Sequence, residues 1–193
     1  MKKTIAKTIS IIFGPIVLWP TTLFIIATKT QLHSVNYKIV SLMLFLLLVV
    51  LPFAYIFILY KQSAITDLDL TKRQQRFKPL FFIFIFLIIS FVIVHLFGTK
   101  LLSDLFVITF VLFLIDLLIT MFWKISYHMA INVVATILIN YLYNWSFPIL
   151  YVSIPLVFWS RLYLKKHDVW QLLSALILNG GLTLILLRLF NYV

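Results

Sequence analysis

The sequence predicts an all-α protein, a polytopic transmembrane bundle of six to seven helices, on three observations. Hydrophobic residues make up 64% of the 193 and charged residues only 11%, with a mean hydropathy of +1.14, a balance that no solvated globule could bury. The apolar residues come in seven runs, near 8–27, 39–60, 79–98, 102–123, 128–143, 147–159 and 172–190, separated by short polar or basic segments. A helix needs about 20 residues to cross the hydrocarbon layer, and most of these runs have them. No Ser/Gly/Pro-rich linker or long charge run divides the chain, so residues 1–193 read as a single integral membrane domain.

Taken in order, the first run follows Met1-Lys2-Lys3 in the manner of a secretion signal, but no small-x-small cleavage pattern comes after it. It is expected to be an uncleaved anchor. The first two runs, within 1–60, are set apart as accessory N-terminal helices, and 66–190 as the functional core. The third and fourth are of full crossing length. The fifth and sixth share only the 33 residues between Ser126 and Ser160, which leaves roughly 15–17 for each of two crossings, the lower limit for a helix. Either two short crossings or a re-entrant hairpin fits. Asn144-Trp145-Ser146-Phe147-Pro148 supplies the turn, with Pro148 suited to open the next helix. Both arrangements return His128 and His167 to one side. In the last run Gly180-Gly181 suggests close helix packing, and Trp19, Trp123, Trp145, Trp159 and Trp170 are placed as an interfacial belt.

Charge narrows the chemistry. The chain carries +11 at neutral pH and no cysteine, which excludes disulfides, thiolate catalysis and Cys-ligated metals. The basic residues are scattered through short loops, a poor nucleic-acid surface but a good match to anionic lipid headgroups. Lys2, Lys3, Lys7, Lys61, Lys72, Arg73, Arg76, Lys78, Lys124, Arg161, Lys165 and Lys166 fall on one face, against Lys29, Lys38, Lys100 and Arg188 on the other. This bias puts the polar clusters on the cytoplasmic side of a multi-pass cell-membrane protein. There is no phosphate-binding glycine loop, zinc-protease helix motif or aspartate-rich metal motif, so no cofactor and no metal are expected. No protein partner is evident either; the bilayer is the expected partner.

Three segments on that face carry the polar chemistry. Thr66–Pro79 holds four cations, Lys72, Arg73, Arg76 and Lys78, within seven residues; guanidinium forks and ammonium point charges together make a phosphate cradle. Lys124-Ile125-Ser126-Tyr127-His128 and Ser160-Arg161 through His167-Asp168 to Gln171 each put a histidine where an apolar run meets a basic edge. His33 and His95 fall toward the opposite side and are read as interfacial or packing residues. Asp116 is the carboxylate set well inside an apolar run, about 10 Å from the Trp123-Lys124 edge at 1.5 Å per residue. It is a lining group of the pocket, or pairs with a buried donor such as Asn132, or is a polar link between helices.

In these residues the chain resembles the type-2 phosphatidic acid phosphatase superfamily of membrane lipid phosphatases. Ser160-Arg161, five residues, His167, three residues, position 171 reproduces the spacing of that family's third motif. Gln171 stands where most members have Asp, as in members similar to dolichyl diphosphatase. Ser126-Tyr127-His128 keeps the Ser-x-His core of the second motif, with Tyr127 in place of Gly. The first motif departs most: its Lys and Arg fall on Lys72 with Arg76, the preferred match, or on Lys72 with Lys78-Pro79. The resemblance covers about residues 66–190. It implies His167 as nucleophile, with Gln171 fixing its tautomer, and His128 as acid for the leaving group. It implies Lys72, Arg76, Ser126 and Arg161 as phosphoryl ligands, joined by Lys124, and leaves Asp168 as an electrostatic neighbour.

The implied activity is metal-independent hydrolysis of a lipid phosphate or diphosphate through a phosphohistidine. Gln171 points to polyprenyl or other isoprenoid diphosphates; phosphatidate and phosphatidylglycerol phosphate are the alternatives. The competing class is an inactive lipid-binding relative or a small membrane transporter.

Overall fold

The computed structural model describes residues 1–30 and 37–192, so His33 lies outside the described residues. All regular structure among the described residues is helical. Among the described residues, five helical stretches are long and apolar enough to cross a membrane: Lys2–Thr30, Tyr37–Lys61, Arg73–Phe97, Lys100–Phe122 and Val169–Leu189. Large side chains such as Phe24, Ile177 and Leu189 point outward, the exposure expected of surfaces that face lipid tails. The chain forms two compact units, Met1–Lys29 with Ile125–Val193, and Thr30–Lys124.

In the first unit, α1 (Lys2–Ile12) and α2 (Pro15–Thr30) are broken by a step at Phe13-Gly14. Pro15 opens α2, where a missing N–H costs nothing because the first-turn donors have no intrahelical partner. α7 (Tyr127–Leu142) is buried along most of its length and packs on α8 (Ser153–Tyr163) and α9 (Val169–Leu189). At 1.5 Å per residue its 16 residues span about 24 Å, less than the roughly 30 Å of a hydrocarbon core. α7 and α8 form an antiparallel hairpin of two short helices, with a 3-10 turn at Pro148–Val152 between them. Asn140 holds the return, its Oδ1 accepting from the Phe147 N–H at 3.1 Å. Gly180 admits the close approach of α7 to α9, since a Cβ there would lie 3.3 Å from Val133 Cγ2, whereas a Cβ on Gly181 would meet open space.

The helix ends have a common chemistry. After α7 and α8 the chain takes a left-handed residue, Asn144 at φ 51° and Lys165 at φ 53°. The following N–H then returns to the carbonyl five residues back, Trp145 to Asn140 at 2.7 Å and Lys166 to Arg161 at 3.1 Å. This closure satisfies carbonyls that the helix leaves open and reverses the chain.

In the second unit, α3 (Tyr37–Phe45) and α4 (Leu51–Lys61) are joined by one π turn at Leu46–Val50. Pro52 explains it: the ring has no N–H and would collide with the Leu48 carbonyl, and a wider turn absorbs the clash. α5 (Phe77–Phe97) and α6 (Lys100–Phe122) pack along their length, with Phe84 stacked on Phe110 at 5.2 Å. Thr99 caps α6, accepting from the Leu102 N–H at 3.1 Å.

Candidate active site

The third motif has a local structural origin. Ser160 and Arg161 lie in the last turns of α8, the left-handed turn at Lys165 takes up the intervening residues, and His167 falls just before Asp168, the N-cap of α9. Asp168 Oδ1 accepts the Gln171 backbone N–H at 2.9 Å, filling an open donor of the first helical turn. That fixes the start of the helix, and with it the Gln171 side chain. Gln171 Oε1 then lies 2.9 Å from Nδ1 of His167. An amide oxygen only accepts, so this pairing assigns a proton to Nδ1, and in the neutral imidazole Nε2 is then the unprotonated nitrogen.

Arg161 is 1% exposed. Its Nη1 donates to Ser10 Oγ at 2.6 Å and faces His128 Nε2 at 3.4 Å. A guanidinium only donates, so Nε2 of His128 is the accepting nitrogen of that long contact. The neighbouring Ser160 hydroxyl donates to the Ala6 carbonyl at 2.7 Å. The two motif residues therefore fasten α8 to α1, a helix that the sequence set apart as accessory. Gly14 completes the arrangement, because a Cβ there would lie 3.3 Å from His128 Nε2 and 2.5 Å from the Ser10 carbonyl oxygen.

Ser10 and Gly14 were missed by sequence reasoning, yet a signal exists. Ala6, Ser10 and Gly14 recur every fourth residue, a stripe of small residues of the kind that lets apolar helices approach closely. Ser126 occupies the N-cap position of α7; it is fully buried, and its hydroxyl has no hydrogen-bond partner among the described residues.

The remaining candidates belong to the second unit. Arg73 donates through Nη1 to the carbonyls of Thr120 and Met121, placing its positive charge at the negative end of α6. Arg76 is buried and its Nε donates to the Leu70 carbonyl at 2.7 Å, whereas Lys72 and Lys78 are exposed and Lys124 half-buried. The loop before them is braced by its own side chains: Asp67 Oδ1 accepts from the Thr71 hydroxyl at 2.7 Å, and Gln75 Oε1 from the Thr66 N–H and hydroxyl at 3.0 Å each. Asp116 is buried within α6. Asn132, in the first unit, lies 3.1 Å through Oδ1 from the Ser153 hydroxyl. His95 packs against Phe91, ring centroids 5.9 Å apart.

Fold and geometry thus define an all-α membrane protein with a buried Ser–Arg–His contact and a His–Gln pair in one compact unit. No family model, curated protein or solved structure matches the chain.

Proposed function

We propose that the protein is a metal-independent membrane lipid phosphatase of the type-2 phosphatidic acid phosphatase kind, cleaving a phosphate or diphosphate headgroup through a phosphohistidine. The observation that carries this reading is the pairing of His167 Nδ1 with Gln171 Oε1 at 2.9 Å, in the same compact unit as the Arg161–His128 contact at 3.4 Å. With its proton held on Nδ1, His167 attacks phosphorus through Nε2. The bond from phosphorus to the leaving oxygen breaks, and His128, protonated for this step, gives that oxygen its proton. Water then gives a proton to the now unprotonated His128 as it attacks phosphorus, the phosphorus–Nε2 bond breaks, and inorganic phosphate leaves with both histidines restored. Arg161 and the Ser126 hydroxyl hold the phosphoryl oxygens. The headgroup enters from the cytoplasmic face of the cell membrane, the side favoured by the bias of basic residues, while its tail stays in the bilayer.

The test follows phosphate release from phosphatidate, phosphatidylglycerol phosphate and farnesyl diphosphate by the full-length protein in detergent, with and without EDTA. Wild type should release phosphate equally well under chelation, and His167→Ala should abolish release. A base-stable, acid-labile phosphoenzyme should form in wild type and not in the variant. Unchanged turnover by His167→Ala, or loss of turnover on chelation, rejects the phosphohistidine. No turnover of any lipid phosphate favours a binding or transport protein instead.

A further inference from the structure

α1 and α2 run beside α7 in the same direction. A Cβ on Gly14 would lie 3.3 Å from His128 Nε2 at the start of α7, and Lys29 Nζ lies 4.4 Å from the ring centroid of Tyr143, just past its end. α8 returns the opposite way. The start of α1 and the end of α8 therefore come to the end of the unit that holds the two histidines.

That end is strongly basic. Lys2, Lys3 and Lys7 of α1 and Lys165 of the turn after α8 are exposed, and Asp168 is the only Asp or Glu in the sequence of this unit. The stretch Lys2–Thr30 has 29 residues; at 1.5 Å per residue it runs to about 44 Å, against roughly 30 Å for a hydrocarbon core. The lysines occupy the surplus. Lys7 stands about 4.5 Å along the axis from Ser10, and Lys3 about 6 Å further out, distances that fall within and just beyond a headgroup layer of about 5–7 Å.

The two sides of α1 differ in kind. Ile5 and Ile12, seven apart and so on one side, are 46% and 51% exposed. Lys3 and Ser10, also seven apart, share the side turned to α8, where Ala6 and Ser10 receive the Ser160 hydroxyl and Arg161 Nη1. Lysines that served only to orient the chain would need no such register with the site.

We infer that α1 docks on an anionic bilayer surface through Lys2, Lys3 and Lys7, and that this docking seats Arg161. Anionic headgroups hold the lysines while Ile5 and Ile12 enter the hydrocarbon beside them. α1 is then fixed in height and tilt, and with it the two acceptors that α8 uses, the Ser10 hydroxyl and the Ala6 carbonyl. On a zwitterionic bilayer the lysines gain no such attraction, and α1, joined to α2 through the Phe13-Gly14 step, is held less firmly. The bilayer acts here as a regulatory partner, separate from the lipid that is hydrolysed. The coupling to turnover rests on the lipid-phosphatase reading; the docking does not.

The experiment places the full-length protein in nanodiscs of phosphatidylcholine with and without phosphatidylserine, and measures turnover of farnesyl diphosphate and dihexanoyl phosphatidate at saturation. One lysine near an anionic leaflet is worth about a fivefold factor, so kcat should rise at least about fivefold with phosphatidylserine at physiological salt. The rise should vanish near 1 M salt, where screening shortens to about 3 Å. The combined Lys2→Gln, Lys3→Gln, Lys7→Gln variant should bring the ratio between the two bilayers close to one, and Lys29→Gln, at the opposite end, should keep the wild-type ratio. Docking is read separately. The chain has no cysteine, so Thr4→Cys puts a single thiol on α1, and its modification by an uncharged maleimide should slow several-fold with phosphatidylserine, but not when the three lysines are replaced. Adding Ser10→Ala should keep that protection and lose the rise in kcat. A wild-type ratio near one, a ratio that survives loss of the three lysines or of the Ser10 hydroxyl, or one lost equally in Lys29→Gln overturns the inference. If wild type hydrolyses neither lipid phosphate, the phosphatase reading fails, and thiol protection alone decides for or against docking.

Discussion

Ser10 Oγ accepts a hydrogen bond from Nη1 of Arg161 at 2.6 Å, and this contact ties the first helix of the chain to the arginine of the third motif. Arg161 is fully enclosed, so its direction is set by what it touches and not by solvent. A hydrogen bond to a charged group contributes about 1.5–3 kcal/mol. Ser10→Ala should therefore lower kcat/KM about 10- to 100-fold, with Ser10→Thr recovering much of the loss because it keeps the hydroxyl. Steady-state kinetics on a short-chain lipid phosphate, beside a thermal melt, checks this: a melt shift without a kinetic loss would mean that Ser10 serves packing alone.

Gln171 acts on His167 through the tautomer. Gln171→Leu removes the acceptor and lets the imidazole proton occupy either nitrogen, so kcat should fall about 100-fold while KM changes little, the pattern of an interaction that matters in the transition state. Gln171→Glu keeps an acceptor but adds a charge. A carboxylate beside His167 favours the imidazolium, so the unprotonated Nε2 becomes available only at higher pH, and the acid limb of the pH–rate profile should move upward. A limb that stays in place in Gln171→Glu would show that His167 is not the titrating group.

Lys165 takes a left-handed conformation, φ 53°, where the chain turns from α8 toward His167. A residue with a Cβ is strained there by about 1–2 kcal/mol, and part of the relief on substitution by glycine is offset by the greater freedom of the unfolded chain. Lys165→Gly should raise stability by about 0.5–1 kcal/mol, read as a higher midpoint of thermal inactivation in detergent. Lys165→Val should lower it, since a β-branched side chain fits that region worst.

The helical membrane class was legible because hydropathy over runs of twenty residues averages out local detail: the long stretches at Tyr37–Lys61 and Lys100–Phe122 are apolar whatever their neighbours. The pairing of His167 with Gln171 was legible from their spacing of four, although the two do not share a helix: His167 stands just before the N-cap Asp168, and Gln171 in the first turn reaches back to it. Ser10 was not. A serine within an apolar run looks like a tolerated polar residue until a partner more than a hundred positions away is folded against it, and helix–helix pairing is a long-range property that no local period encodes. Arg73 was hidden for the opposite reason: in a run of four cations, the sequence does not reveal which one caps the carbonyls of α6.

Gly14 and Gly181 should respond in opposite directions to the same substitution. A Cβ on Gly14 would stand 2.5 Å from the Ser10 carbonyl oxygen and 3.3 Å from His128 Nε2. The first neighbour is backbone and cannot rotate away, so Gly14→Ala must displace the α1–α2 step. Overpacking of this kind costs about 1–3 kcal/mol and should also lower kcat/KM, because Ser10 and His128 both border the displaced atoms. At Gly181 nothing lies within 4 Å of the added carbon, and alanine is the better helix former by about 0.5–1 kcal/mol. Gly181→Ala should melt higher than wild type and Gly14→Ala lower. Parallel thermal inactivation curves of the two variants decide the matter, and a Gly14→Ala protein as stable and as active as wild type would remove the α1–α2 step from the site.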